Sequence, residues 1–130
     1  MRILIDARTR MVLFSLWCLG WAIVLVESLE PMTGTPFGLS DKLLHFMGYA
    51  VMTAAVASFA HERRGILCWT LFAILMGGLV EVAQDFVPTR SMDIYDFLAD
   101  SAGAAVGATA ALLWLVLVIA PLRRRRAAPA

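Results

Sequence analysis

The stretch GLSDKLLHFMGYAV, residues 38–51, decides how this chain is read. It opens an apolar run that continues to about residue 60, yet Asp41, Lys42 and His45 stand at its mouth, with Tyr49 one turn behind. A charge at mid-membrane costs about 2.5–3.5 kcal/mol on insertion scales, so ionisable residues in such runs are rare and face a cavity or a partner. The question is what these groups serve.

The rest of the chain is of the same kind. Its 130 residues allow one domain, 61% are hydrophobic and only 16% charged. Soluble domains carry fewer apolar and more charged residues. A net charge of +1 offers no basic field for nucleic acid. Cys18 and Cys68 lie within apolar runs and read as small apolar residues rather than metal ligands.

A membrane helix needs about 20 apolar residues to cross about 30 Å of hydrocarbon. Four segments qualify, at about 11–29, 43–60, 66–86 and 94–120, the last ending at Pro121. The first is too long for a secretory h-region and has no A-x-A-type site after it, so it is expected to remain as a span. With no water to satisfy the backbone, the spans must be helices. Arg2, Arg8 and Arg10 precede the first span, Arg63 and Arg64 separate the second from the third, and Arg123 to Arg126 follow the fourth. The opposite loops hold only Lys42 and Arg90. By the positive-inside rule both termini and the HERRG turn are cytoplasmic, and the loops EPMTGTPFGLSD and VPTRSMD face outward. The Arg tetrad is a stop-transfer anchor that also attracts anionic lipid. LVE at 25–27 and again at 79–81, with Asp41, Gly48 and Ala50 matching Asp96, Gly103 and Ala105, hints at a hairpin duplicated in parallel.

This topology gathers the polar residues at the outward helix ends: Glu27 and Glu30, then Asp41, Lys42 and His45, then Glu81, Gln84 and Asp85, then Arg90, Asp93, Asp96 and Asp100. Helical spacing puts Asp41, His45 and Gly48 on one face and Asp93, Asp96, Asp100, Gly103 and Gly107 on another. Small residues on that second face let helices approach closely, which turns it, and its acids, toward the bundle interior. Some of these residues have a plainer use. Asp41 or Ser40, and Asp93 or Ser91, can cap helix N-termini. That reading does not extend to Glu81, at a helix C-terminal end, or to Asp100, two turns into its helix. The cluster as a whole could also serve only to join helices.

Three kinds of chemistry fit the inventory. Carboxylates with a histidine can hold a divalent cation, with Glu81, Asp93, Asp96 or Asp100 as ligands. His45, Glu81 and Asp96 are candidates for general acid–base work. Lys42 and Arg90 can grip a phosphate, arginine through paired hydrogen bonds.

The residues DKLLHFMGYAV and GGLVEVAQDFVPTRSMDIYDFLADSAGAAVG resemble the VanZ-like family of small bacterial membrane proteins. The pattern D-K-x-x-H-x-x-x-Y falls on Asp41, Lys42, His45 and Tyr49. E-x-x-Q-x-F-x-P-x-R-x-x-D-x-x-D falls on Glu81, Gln84, Phe86, Pro88, Arg90, Asp93 and Asp96. Asp100 departs from it, for the family usually has asparagine there, and the site becomes more negative. The resemblance runs from about residue 13 to 113 and implies a multi-pass cell-membrane protein whose namesake is associated with teicoplanin resistance. It carries motif positions but no settled roles.

The expectation is an all-α, four-helix membrane bundle with both termini inside, in a bacterial cell membrane. Its outward polar pocket of Asp41, Lys42, His45, Tyr49, Glu81, Gln84, Arg90, Asp93, Asp96 and Asp100 recognises the phosphate or glycan head of a lipid-linked envelope precursor, with Lys42 and Arg90 on the anion and His45 with Glu81 orienting it. The alternatives are a metal-assisted or acid–base hydrolase or transferase on such a lipid, and a structural or accessory membrane subunit. A channel is disfavoured, because the inner halves of the spans carry no polar lining.

Overall fold

A computed structural model describes residues 6–31 and 38–127, with side chains to 124. Arg2, part of the loop after the first helix, and the side chains of Arg125 and Arg126 lie outside the described residues.

The described residues are helical with no strand. Helix α1 (Ala7–Leu29) starts earlier than hydropathy marks it, because the Asp6 carboxylate accepts the Thr9 N–H at 2.7 Å and caps it. Helix α2 (Asp41–Ala54) is capped by Ser40 and continues as a 3-10 turn, Ala55–Ser58. Helix α3 is Arg63–Gln84 and helix α4 is Ile94–Trp114. A π-turn, Leu115–Ile119, follows and leads into α5 (Ala120–Ala127). The expected end at Pro121 is therefore not observed. Proline lacks an N–H and its ring crowds the carbonyl four residues back. The π-turn widens the helix here, with the Ala120 N–H bonded to the Leu115 carbonyl, so the chain passes through Pro121 still helical.

Among the described residues, three helices are long and apolar enough to cross a membrane: Ala7–Leu29, Arg63–Gln84 and the continuous Ile94–Arg124. Helix α2 is the short one. Its 14 residues and the four of the 3-10 turn come to about 29 Å at the usual rises. Leu16, Leu19 and Ile23 of α1, Leu71, Leu75 and Leu79 of α3, and Leu98, Val106 and Leu113 of α4 all point away from the bundle. Such a surface suits lipid.

Between helices the hydrophobic effect gives little drive in lipid, so close packing must hold the bundle. The most extensive contact is α2 against α4. A Cβ at Gly103 would strike the Phe46 carbonyl, and one at Gly107 the Ala50 carbonyl and the Ala54 nitrogen. Ala104, Ala108 and Ala111 continue this buried seam. Gly48 plays no part in it, since a Cβ there would meet open space. The inward face of α2 is instead His45, Tyr49, Met52 and Thr53. Helix α3 reaches α4 through Gly77 and Gly78, against Asp100 and Phe97.

Helix α1 is attached differently. Phe14, Trp17 and Trp21 interlock with Phe59, Trp69 and Phe72, with centroids 4.8–6.0 Å apart from Trp17 to its neighbours and mostly edge-to-face. The Trp17 indole donates to the Met52 carbonyl at 2.8 Å, so a buried donor is satisfied and α1 is pinned to α2. Near the same end the Arg123 guanidinium donates to the His61 carbonyl at 3.0 Å. Burial, with Arg10 and Arg123 adding repulsion, holds the His61 imidazole below its ordinary range. The start of α1, the α2–α3 turn and the start of α5 thus share one end of the bundle.

Gly107→Ala should lower stability by about 1–3 kcal/mol through overpacking. Gly48→Ala should be neutral or raise it by up to about 1 kcal/mol through helix propensity. Thermal melts of the two variants in detergent check the contrast, and equal effects would contradict the α2–α4 seam.

Candidate functional site

The polar residues collect at the opposite end. Lys42, in the first turn of α2, reaches across to α4. Its ammonium donates to Asp93 Oδ2 at 2.6 Å and Asp96 Oδ1 at 2.9 Å. Asp93 also caps α4, accepting the Tyr95 N–H at 2.8 Å. Capping and ion pairing are thus one residue's joint work, while Ser40 rather than Asp41 accepts the Leu43 N–H at the start of α2. The Lys42 ammonium and the Tyr95 N–H hold the Asp93 carboxyl below the usual range. A depressed carboxyl stabilises the fold above its unfolded pKa and loses that contribution as pH falls through the folded value, so this pair persists at neutral pH.

One turn deeper, His45 Nδ1 lies 3.0 Å from Asp100 Oδ1. Their side chains are 5% and 0% exposed. Glu81, on α3, turns toward α4, and its Oε2 accepts the Asp93 N–H at 2.9 Å. The Tyr49 hydroxyl is within electrostatic reach of Asp100 and Glu81. Four buried polar atoms here find no hydrogen-bond partner among the described residues: Glu81 Oε1, Asp100 Oδ2, the Tyr49 hydroxyl and Ser101 Oγ. Orphaned buried groups are uncommon, and each asks for an explanation.

Arg90 closes the layer from the α3–α4 loop. Its guanidinium donates to the Glu30 carbonyl at 3.0 Å, the Glu27 carbonyl at 3.3 Å and Asp41 Oδ2 at 3.4 Å. The carbonyls at the end of α1 would otherwise lack partners. Thr89 just before it has φ 71°, a left-handed conformation that costs a non-glycine residue about 1–3 kcal/mol. Gln84 does parallel work, donating to the Ser28 carbonyl at 2.9 Å. The two therefore tie α1 to the layer.

All ten expected site residues meet in this one layer. Glu27, Glu30 and Asp85 do not join it through their side chains, which are exposed. Glu81 and Asp93 alone among the ten border a cleft of about 200 Å³, otherwise lined by Gly78, Met92, Ile94 and Phe97. The sequence marked Glu81 and Asp93 but not the apolar walls of this groove between α3 and α4, because Gly78, Ile94 and Phe97 read as ordinary membrane helix.

A family model described as VanZ/LLP1 matches residues 7–118. The chain belongs to the VanZ/LLP1 family. Comparison with curated proteins and with solved structures finds no match. The VanZ/LLP1 match spans α1 to the π-turn, so it contains the whole polar layer.

Because two of the Arg90 bonds go to carbonyls, the residue is a positioning group here. Arg90→Lys, which cannot reach three acceptors at once, should lower thermal stability by about 1–3 kcal/mol. A melt in detergent checks it; an unchanged midpoint would contradict the tie to α1.

Proposed function

We propose that this VanZ/LLP1-family chain is a four-span protein of the bacterial cell membrane that binds the polar head of a lipid-linked envelope component at its outward face. The short α2 with its 3-10 turn serves as the second span, since about 29 Å matches a hydrocarbon core of about 30 Å. The positive-inside rule supports the orientation: Arg8, Arg10, Arg63, Arg64 and Arg123 belong to one end, and the polar layer to the other.

The observation that carries the reading is the union of two surfaces at Glu81 and Asp93. On one side lies an ionic layer and on the other an apolar cleft of about 200 Å³. A lipid has the same two parts. In this reading the cleft takes part of the chain, and the head meets Lys42, whose side chain is 48% exposed. A phosphate would share Lys42 with Asp93, and head-group hydroxyls would donate to the acids. Arg90 contributes by holding the rim in place. The burial of His45 and Asp100 argues against direct proton transfer to a head group, so binding is preferred over hydrolysis. The family likeness extends the reading to precursors relevant to teicoplanin-type glycopeptides, and the same layer would then govern that susceptibility.

Native mass spectrometry of the protein released from nanodiscs tests this. Wild type should carry a lipid adduct, and Lys42→Gln, correctly folded by its melt, should lose it by tenfold or more. A wild type without adduct after preparation in its own membrane lipids, or a variant with an equal adduct, would overturn the reading.

A further inference from the structure

The charges of the layer do not balance. Of the five acids brought together, Asp93 and Asp96 share Lys42, and Asp41 faces Arg90. Glu81 and Asp100 remain. Neither is paired with Lys42 or Arg90, and His45 is the one basic group beside them. Glu81 is 3% exposed and Asp100 0%, each keeps one oxygen outside any hydrogen bond, and the further donor beside Asp100 is the neutral Tyr49 hydroxyl, which cannot cancel its charge. On the α3 side Asp100 meets Gly77, which has no side chain to donate. Buried carboxylates in that condition are costly unless a cation or a proton joins them.

We propose that His45, Glu81 and Asp100 hold a divalent transition-metal cation. One ligand atom from each lies within 4.8 Å of the other two. Tetrahedral or octahedral ligands at about 2.0–2.2 Å sit roughly 3–4 Å apart, so side-chain shifts of about 1 Å bring the three atoms onto one ion and leave its remaining positions to other ligands. One imidazole nitrogen and two carboxylates suit zinc or manganese better than calcium, which prefers six to eight oxygens. The charge also closes: two carboxylates with a neutral imidazole carry −2, which one divalent ion cancels. Binding displaces whatever protons the three groups shared, so it acidifies the medium. The three ligands come from α2, α3 and α4, and the ion would fasten the helices that frame the cleft. Asp93 and Asp96 accept from Lys42, and Asp96 also offers a ligand atom within 4.8 Å of His45 and Asp41, but Lys42 already neutralises that pair in part. The inference does not need the lipid reading.

The test uses full-length protein without a histidine tag, stripped with chelator and titrated with MnCl2 and with ZnCl2 in nanodiscs. Wild type should bind one ion per chain saturably and melt at a higher temperature when loaded. Asp100→Asn and Glu81→Gln, close in shape to the native residues, should weaken binding at least tenfold. Pulsed electron paramagnetic resonance of bound Mn2+ should show one imidazole nitrogen. The chain has two histidines, and His61 lies at the other end beside Arg10 and Arg123, so the signal should survive His61→Gln. If the carboxylate variants do not fold, that spectrum decides. No saturable binding of either ion, binding without an imidazole signal, or unchanged affinity in both folded variants would overturn the proposal and leave a proton as the neutralising partner. Lipid adducts measured on the same samples keep the two questions apart, because Lys42→Gln tests the lipid and Asp100→Asn the ion.

Discussion

The backbone contact of α2 with α4 is the constraint on which the rest depends. Gly103 and Gly107 have no Cβ, and the carbonyls of Phe46 and Ala50 occupy the space one would fill. At that separation Lys42 spans to Asp93 and Asp96, and His45 meets Asp100. A wider spacing would leave these groups singly in a medium that cannot solvate them. The small-residue seam below therefore sets the geometry of the ionic layer above it. Helix α3 joins by the same device at Gly77 and Gly78, whereas α1 is held by aromatic rings at one end and by Arg90 and Gln84 at the other.

The layer has two parts with different electrostatics. Its rim pairs three acids with one lysine and one arginine and holds the loops and helix ends in register. Its floor, of His45, Glu81 and Asp100, is buried and in excess of negative charge. A polar network that served only to join helices would be expected to satisfy its own donors and acceptors, since a half-satisfied network is worse than an apolar core. The rim meets that standard. The floor does not.

Much of this could be read from the sequence, for reasons that are physical. Four apolar runs mark four helices, because lipid allows no other backbone solution. The small face of α4 could be followed from Asp96 through Asp100 to Gly103 and Gly107, since helical period orders it, and those four are buried. The same logic misplaced Gly48, which faces open space, while Tyr49, one turn behind His45, takes the inward position. Two faces of α2 are equally periodic, and only the neighbour decides between them. Arg90 was legible as a cation but not as a clamp, because its partners are carbonyls of Glu27 and Glu30, which every residue type possesses. The passage through Pro121 was also hidden: a π-turn leaves no mark in composition.

In the proposed orientation the polar layer lies at the external face, where envelope lipids present their heads, and labelling from outside the cell tests this directly. Ser91, exposed in the α3–α4 loop, would be replaced by cysteine in a chain whose Cys18 and Cys68 are alanine. Intact cells would then be treated with a membrane-impermeant maleimide. Labelling at full extent before permeabilisation is the predicted result. Labelling that appears only after the membrane is opened would put the layer on the cytoplasmic side and contradict the account.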